Sequence, residues 1–379
     1  MIPGLRRGLF TLWRNTAERR SMLHILLAVL LRPAALLYRG LAALNRLSYE
    51  SGLRRRVRVP AAVVSVGNIE VGGVGKTPVV IWMARRLSER GLSVAVVVRN
   101  QRSGPGCGRE AVPADRVISV ARRSSAGSMF SDEVLLLVQS LPGISVYAGK
   151  SKSKAAVRAC REVSPDLVLV DDGFQHHGLQ KDMEIVLVDF ERPFGSGGLL
   201  PSGSLREPPC VLSRADCFWA HRRGQGRSED WLRTRLDDYN WRAPLVCSNL
   251  IPGMLRLAGD DDSEIDPDGV SVVAFCGIGK PWSFRRTLEA AGCRVLGFME
   301  FPDHHRYGAA DLERLDKLRK ARGAEALVTT TKDVVKIERL AESHLLYYLD
   351  TSLAVSSEAE QLLSSIHGLV STGRGYQRV

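Results

Sequence analysis

Short runs of apolar, mostly β-branched residues alternate through residues 61–189 with segments whose apolar positions recur every three or four residues. The runs predict buried strands, and the periodic segments predict amphipathic helices. Strands that alternate with helices favour a parallel sheet with right-handed crossovers, which is an α/β fold. The predicted strands are 61–66, 93–98, 144–147, 167–170 and 185–189, and the predicted helices are 76–90, 132–140 and 152–162.

A second alternation of the same kind begins at residue 271. Its predicted strands are 271–275, 294–299 and 326–329, and its predicted helices are 282–291 and 357–367. A chain of 379 residues can hold two α/β domains with separate cores. We therefore predict a larger domain over 59–240 and a second, smaller α/β domain over 241–379, with a polar surface turn or linker at 259–264 and a mobile loop over 101–128.

Residues 1–58 form a basic arm. Residues 1–60 hold twelve arginines, no lysine and two acids, so ten of the chain's twelve net positive charges lie there. Residues 22–31 are a run of ten positions that is apolar apart from His24, whereas a bilayer span takes about 20. This pattern predicts an amphipathic, membrane-associating helix, with leucines in the acyl boundary and arginines on anionic headgroups.

Two alternatives for the arm stay open. One is a secretory signal or a true membrane span, although no clean small-x-small cleavage site follows the apolar run. The other is a helix packed on its own protein.

The charge and the cysteines argue against several other classes of protein. Because the net positive charge lies almost wholly in the arm, it does not indicate a nucleic-acid partner. The seven cysteines are scattered, odd in number and never spaced as C-x-x-C. They predict reduced thiols in a cytosolic protein and no zinc site.

A glycine-rich turn between the first predicted strand and helix indicates phosphate binding. It contains Gly72, Gly73, Val74 and Gly75 and leads into Lys76 and Thr77. Such a turn aims backbone N–H groups at phosphate oxygens, and the helix behind it adds the positive end of its dipole. The lysine would reach the β- and γ-phosphates and the threonine would hold Mg²⁺. The alternative is an ordinary strand-to-helix turn, which leaves the glycine cluster unexplained.

Three groups of polar residues add candidate chemistry. Asp171 and Asp172 end an apolar strand, where P-loop proteins place a Mg²⁺-binding acid, although an acidic turn is also common there. Asp132 begins a helix, where a capping role is the simpler interpretation. Asp303, His304 and His305 form a loop suited to proton transfer or to anion binding.

Six motifs occur in one order along the chain. They are Val-Gly-Asn-x-x-Val-Gly-Gly-x-Gly-Lys-Thr-Pro at 66–78, Asp-Asp-Gly-Phe-Gln-His at 171–176, Leu-Pro-x-Gly-x-Leu-Arg-Glu-Pro at 200–208, Gly-Ile-Gly-x-Pro at 277–281, Phe-Pro-Asp-His-His at 301–305 and Thr-x-Lys-Asp-x-Val-Lys at 330–336. Together they resemble the tetraacyldisaccharide 4′-kinase family, over roughly residues 20–350. The resemblance also covers Glu70, because the family's own loop lacks the earlier glycine of the common P-loop pattern.

The resemblance implies a fold and an activity. The fold is a P-loop NTPase-like parallel sheet domain with a second α/β domain, preceded by the arm. The activity is transfer of the γ-phosphoryl group of ATP to the 4′-hydroxyl of a tetraacylated disaccharide 1-phosphate in lipid A biosynthesis. The implied cofactors are ATP and Mg²⁺, and the partners are this lipid A precursor and anionic lipids at the cytoplasmic face of the inner membrane, without an obligatory protein partner.

The resemblance also assigns roles to residues. It makes Asp132 the general base, assisted by His304, and gives Lys76 a catalytic role on the phosphates. It places Mg²⁺ near Thr77, Asp171, Asp172 and Glu207, and the substrate near Asn68, Gln175, His176 and Arg206.

Two segments depart from the family pattern. Residues 98–102 are Val-Arg-Asn-Gln-Arg where the family has Ser-Arg-Gly-Tyr-Gly, and residues 149–152 are Gly-Lys-Ser-Lys where it has Gly-Arg-Asp-Arg. The second change replaces a planar arginine fork by a lysine.

Two other functions compete with the kinase. A P-loop switch, such as a metallochaperone-like or targeting GTPase, needs an Asn-Lys-x-Asp motif, and 331–333 is the nearest approach but lacks the Asn. A lipid-binding or anionic-polymer-binding protein would explain the arm but not the six motifs.

Overall fold

The computed structural model describes residues 29–100, 118–119, 130–222, 226–303, 305–337 and 345–372. The helices in these residues are α1 (Arg32–Glu50), α2 (Lys76–Glu89), α3 (Asp132–Ser140), α4 (Lys152–Glu162), α5 (Glu229–Asn240), α6 (Pro281–Ala290), α7 (Ala309–Arg322), α8 (Thr331–Ile337) and α9 (Glu358–Ser371), with a 3₁₀ helix at Pro209–Arg214. The strands are β1 (Ala62–Asn68), β2 (Val94–Arg99), β3 (Ile118–Ser119), β4 (Ser145–Gly149), β5 (Leu167–Asp171), β6 (Met183–Asp189), β7 (Cys217–Arg222), β8 (Leu245–Leu257), β9 (Asp260–Ile265), β10 (Ser271–Cys276), β11 (Arg294–Glu300), β12 (Ala326–Thr330) and β13 (Leu346–Val355).

The described strands form one sheet. Their order is β11-β10-β12-β13-β8-β7-β6-β1-β5-β2-β4-β3, and β9 pairs with β8 outside this row. Neighbouring strands are parallel except in the pairs β13–β8, β8–β9 and β3–β4. The predicted α/β fold with a mostly parallel sheet is confirmed. Both predicted sets of strands belong to this sheet, and the division into domains at residue 241 stays a prediction.

Strand β1 lies between β5 and β6, near the middle of the sheet, and is buried along its whole length. Alternate residues serve opposite faces: Val64 and Val66 pack with α2 and α9, whereas Val63 packs with the alanines of α4. A strand covered by helices on both faces reads as a nearly continuous apolar run. For this reason the sequence pattern located β1 correctly.

The second set of strands is covered in the same way. Val273 and Phe275 of β10 pack on the side of α7, and Val272 and Ala274 pack on the side of α6. Both faces of the sheet are therefore covered in this half too, as expected of a largely parallel sheet.

Several elements were not predicted from the sequence, and the physical reasons differ. Strand β8 contains Pro252 and Gly253, which are typical of a turn. Helix α7 is largely charged and buries only Leu312 and Leu315, so its apolar periodicity is weak. Helices α5 and α8 and strands β7 and β13 were also missed. The surface turn or linker predicted at 259–264 is wrong, because Asp260–Ile265 forms β9 and pairs with β8. The loop predicted over 101–128 lies outside the described residues, apart from β3 at 118–119.

Of the basic arm, residues 29–58 are described and include helix α1, whereas residues 1–28 lie outside the described range. Only Ala35 of this helix is buried. Five of its leucines are 50–66% exposed: Leu36, Leu37, Leu41, Leu44 and Leu47. Among the described residues, no helix has the length and apolar character needed to cross a membrane.

Candidate active site

The glycine-rich turn joins the carboxyl end of β1 to the start of α2. Gly75 directly precedes the first residue of the helix. Its φ of 92° is a left-handed conformation, which suits glycine. The N-cap residue Gly75 has no side chain that could cap the amino end of α2, so the first amide groups of the helix do not lose a hydrogen bond to their own cap residue. This geometry suits an anion at the helix start.

Gly67 is required for a different reason. A Cβ atom at this position would lie 2.5 Å from the Cβ of Phe174, which is inside van der Waals contact. Its absence lets the strand before the turn approach the segment that follows β5. The phosphate-binding turn and the acidic strand end are thereby brought together.

Lys76 points back over the turn. Its Nζ donates to Oδ1 of Asn68 at 3.0 Å and lies 3.3 Å from Oδ1 of Asp172. Asn68 is fully buried and also donates from Nδ2 to the carbonyl of Glu70 at 2.6 Å. Asn68 therefore fixes both the turn and the lysine, and its predicted contact with substrate stays a prediction.

The two carboxylates at the end of β5 face different surroundings. Asp171 pairs in register with Val66 and is buried, and the Thr77 hydroxyl lies 3.4 Å from its Oδ2. Its Oδ1 is buried and has no hydrogen-bond partner among the described residues. Asp172 has φ 54°, and this left-handed turn directs its carboxylate to Lys76 and Arg206.

These surroundings separate the acidities of the two groups. Burial raises the pKa of Asp171 to about 6, although the Lys76 charge opposes the rise. Burial would also raise the pKa of Asp172, but the charges of Lys76, Arg206 and Lys152 outweigh it and hold that pKa well below its usual range. The negative charge of Asp172 is thus balanced by Lys76 and Arg206. Asp171 instead keeps an oxygen without a hydrogen-bond partner among the described residues, which suits a cation.

Arg206 and Glu207 reach the site because their segment pairs with the phosphate-binding turn. Glu70 and Leu205 form an antiparallel bridge, and the Arg206 amide donates to the Ile69 carbonyl at 2.7 Å. Because Glu70 takes part in this bridge, position 70 has a structural role that does not depend on a glycine. It also sets the Arg206 guanidinium 2.9 Å from both oxygens of Asp172.

Gln175 continues this polar chain. Its Nε2 donates to the Asn68 carbonyl at 2.9 Å and to Oε2 of Glu207 at 3.1 Å, and its Oε1 accepts from Arg206 at 3.3 Å. The buried Glu207 carboxylate also accepts from Arg214 at 3.1 Å. Arg214 was not predicted from the sequence, and it holds Glu207 in place.

Lys152 and His176 border the site on the side of α4. Lys152 is buried and donates to the backbone carbonyl of Asp172. Burial, partly offset by the charges of the two aspartates, lowers the pKa of Lys152 to about 8. His176 contacts the Ser153 hydroxyl at 2.8 Å, and burial followed by the charges of Lys152 and Lys181 lowers the pKa of His176 to about 4. His176 is therefore a neutral hydrogen-bonding group near pH 7.

Asp132 is the first residue of α3, and its Oδ2 lies 3.2 Å from Nζ of Lys336 on α8. His304, its predicted assistant, lies outside the described residues. The adjacent Asp303 pairs with Lys332 at 3.1 Å. His305 contacts Asp311 at 3.0 Å, and this contact ties the loop to the start of α7.

The loop after β10 approaches the phosphate-binding turn from the other half of the sheet. A Cβ atom on Gly279 would lie 3.8 Å from the Gly73 nitrogen. Next to it, Lys280 reaches across to the buried Asp189 at the end of β6, at 2.5 Å. Both halves of the sheet therefore contribute to the edge where the candidate residues meet.

Comparison with known proteins identifies the family. The family model for tetraacyldisaccharide-1-P 4′-kinase matches residues 27–368. The tetraacyldisaccharide 4′-kinases of Anaeromyxobacter dehalogenans and Syntrophus aciditrophicus are each 36% identical to this chain over 87% of it, covering 86% and 90% of their own lengths. The chain belongs to the tetraacyldisaccharide 4′-kinase family.

A solved structure of the same family supports the fold. The Aquifex aeolicus LpxK structure in complex with ATP is 27% identical, has a TM-score of 0.70 and covers 91% of this chain and 99% of its own. The predicted family, the enzyme class and the lipid A kinase function are confirmed, and the GTPase alternative is not favoured.

The geometry joins most predicted site residues of this kinase. One connected set of contacts contains Asn68, Lys76, Asp172, Gln175, Arg206 and Glu207. The contact between Thr77 and Asp171 lies beside it, because Thr77 follows Lys76 and Asp171 precedes Asp172 in the chain. Asp132 instead joins a second set through Lys336. The roles of individual residues stay predictions.

Proposed function

We propose that this kinase binds Mg²⁺·ATP at the junction of β1 and α2 and transfers the γ-phosphoryl group to the 4′-hydroxyl of tetraacyldisaccharide 1-phosphate, with Asp132 as the general base. The observation that carries the proposal is the convergence of Lys76, Asp171 and Asp172 at the carboxyl ends of two neighbouring strands. Ligands of open α/β sheets bind at such strand ends. Membership of the family supports the choice of acceptor, and the side chains at these strand ends support binding of the phosphates and the metal ion.

Thr77 and Asp171 fit Mg²⁺. The ion prefers oxygen ligands, and Asp171 offers a buried oxygen without a partner among the described residues, next to the Thr77 hydroxyl. When bound, Mg²⁺ neutralises charge on the phosphate oxygens. Asp172 serves Lys76 and Arg206 instead, because its carboxylate already contacts both cations.

In the proposed reaction, Asp132 accepts the proton of the 4′-hydroxyl as its oxygen bonds to the γ-phosphorus. The bond from that phosphorus to the β,γ-bridging oxygen breaks, and ADP leaves with the electron pair. Lys76 stabilises the charge that develops on the phosphates. Since phosphoryl transfer needs little covalent help from the protein, positioning and electrostatics supply most of the acceleration.

The test is transfer of label from γ-labelled ATP to the purified disaccharide 1-phosphate by the full chain, with and without Mg²⁺. We expect Asp132→Asn to lower kcat by about 100-fold or more, as for loss of a general base. The thermal shift produced by Mg²⁺·ATP should stay unchanged. Glu313→Gln, at an exposed position on α7, serves as the control. Full activity of Asp132→Asn would remove Asp132 as the base, and no labelled lipid from the parent would overturn the proposed reaction.

We further propose that the kinase lies on the cytoplasmic face of the inner membrane through α1. The support is the row of exposed leucines on α1, together with Arg32, Arg39 and Arg46 on the same helix. Leucines suit the acyl boundary, and each arginine near an anionic surface contributes about 1 kcal/mol.

The end of α1 lies close to the candidate substrate residues. The Tyr49 ring lies 6.4 Å from that of His177, centroid to centroid, and the Val57 amide donates to the Gly178 carbonyl at 2.9 Å. A helix seated on the membrane would therefore bring the loop at 175–178 towards a lipid headgroup. This placement suits an acceptor whose acyl chains stay in the bilayer.

Vesicle sedimentation checks the membrane proposal. We expect the triple change Leu37→Gln, Leu41→Gln and Leu44→Gln to weaken binding to vesicles containing anionic lipid by about tenfold or more, because three exposed apolar side chains are lost. The Mg²⁺·ATP thermal shift should persist. Leu345→Gln, at an exposed leucine away from α1, is the control, and parent-like vesicle binding of the triple variant would contradict the proposal.

A further inference from the structure

Helix α8 contributes to a buried ion cluster whose centre is Asp333. Asp333 is fully buried, and its Oδ2 accepts from the Gly277 amide at 2.9 Å and from the Thr330 hydroxyl at 2.8 Å. Its Oδ1 accepts from Nζ of Lys336 at 2.7 Å. A buried carboxylate with three donors is held in one orientation, because leaving any of these groups unpaired is costly.

Lys336 is shared between two carboxylates. Its side chain is 8% exposed, and Nζ lies 2.7 Å from Asp333 and 3.2 Å from Oδ2 of Asp132. The same Nζ stands 5.7 Å from the centre of the Tyr307 ring, which adds a cation–π contact. The lysine is thus fixed from the α8 side and reaches the carboxylate on α3.

The cluster also connects with the phosphate-binding turn. Asp333 holds the amide of Gly277, and two residues further on Gly279 approaches Gly73. One set of contacts therefore runs from Asp132 through Lys336 and Asp333 to the loop beside the nucleotide site. The neighbouring Lys332 pairs with Asp303, so the two lysines of α8 contact different carboxylates.

We propose that Lys336, fixed by Asp333, is a positioning residue for Asp132. Its ammonium orients the Asp132 carboxylate relative to the phosphate-binding turn, across the contact between α3 and α8. The inference rests on the proposed role of Asp132 as general base. A base must lie within hydrogen-bond reach of the proton that it removes, and misplacement by about 1 Å can cost about 100-fold in rate.

Steady-state kinetics of the full chain test this role. We expect Lys336→Met to lower kcat by about 10- to 100-fold while KM for ATP changes by less than about threefold. Lys336→Arg, which keeps the charge, should recover most of the loss. Lys320→Met removes an exposed lysine that pairs with Asp316 on α7, and it should behave like the parent. A parent-like kcat in Lys336→Met, or an Arg variant as slow as the Met variant, would overturn the proposal.

A double-mutant cycle separates positioning from a merely structural role. If Lys336 acts through Asp132, Lys336→Met should lower the residual kcat of Asp132→Asn by less than about twofold. Independent losses, which multiply in the double variant, would contradict the proposal. Should Lys336→Met fail to show the Mg²⁺·ATP thermal shift, Lys336→Gln takes its place in the same cycle, with the same expected result. A fully active Asp132→Asn would instead refute the base assignment itself, so the two failures are distinguishable.

Discussion

Lys76→Met should lower phosphoryl transfer by about 1000-fold. The ammonium lies over the phosphate-binding turn, 3.0 Å from Asn68 and 3.3 Å from Asp172, where it can neutralise charge that develops on the phosphates. Removing one preorganised donor that stabilises developing negative charge typically lowers kcat by about 100- to 1000-fold, and the P-loop lysine contacts the phosphates directly. Transfer of labelled phosphate to the disaccharide measures the effect.

The fold should survive this change. Arg206 still contacts both oxygens of Asp172 at 2.9 Å, so the carboxylate stays paired when the lysine is lost. Lys154→Met, at an exposed position on α4, is the matched control and should keep the parent rate. Transfer by Lys76→Met within tenfold of the parent would show that Lys76 does not serve the phosphates.

Asp171→Asn should stabilise the protein without nucleotide and inactivate it. The pKa of Asp171 is raised to about 6 by burial, above the value of about 3.9 for an unfolded chain. The folded protein therefore binds the proton more tightly, and the stability that Asp171 contributes is lost as pH rises from about 4 to above 6. Two pKa units correspond to about 3 kcal/mol, which is the upper limit of the gain expected near pH 7.5.

Urea unfolding at pH 4.5 and pH 7.5 checks this prediction. The difference in unfolding free energy between Asp171→Asn and the parent should grow in favour of the variant between these pH values. The stabilisation by Mg²⁺·ATP should largely disappear in the variant, because the proposed metal ligand is lost. A variant less stable than the parent at pH 7.5 would disprove the unfavourable burial of this carboxylate.

Asp172→Asn is the informative comparison, since it changes the neighbouring carboxylate. Its pKa is held low by Lys76, Arg206 and Lys152, so ionised Asp172 contributes stability that is lost only as pH falls. Neutralising it removes the negative charge that Lys76 and Arg206 contact, and the variant should be less stable than the parent at pH 7.5. The two substitutions are therefore expected to have opposite signs.

The nucleotide site was predictable because its signals are local. The turn from β1 into α2 depends on glycines and on a strand followed directly by a helix, and Gly75 has the left-handed conformation that the turn needs. The acidic end of β5 was also predictable. A buried parallel strand is an apolar run, and its carboxyl end meets that of β1 in register.

The role of Asp132 could not be decided in the same way. An aspartate at the start of a helix has an ordinary local explanation, and only the family resemblance favoured a base. Lys336 lies in a recognised motif, but its spacing along the chain does not show which carboxylate it contacts. The contact depends on the packing of α8 against α3 from the other half of the sheet.

By itself, the sequence determined the α/β fold, the phosphate-binding turn, the acidic strand end and the family, because each depends on short patterns or on their order. Only the tertiary structure decided how the carboxylates are used. It neutralises Asp172 with Lys76 and Arg206, leaves an oxygen of Asp171 without a partner among the described residues, and joins Asp132 to Lys336. The physical reason is that burial and charge pairing depend on side chains brought together by the sheet from distant parts of the chain.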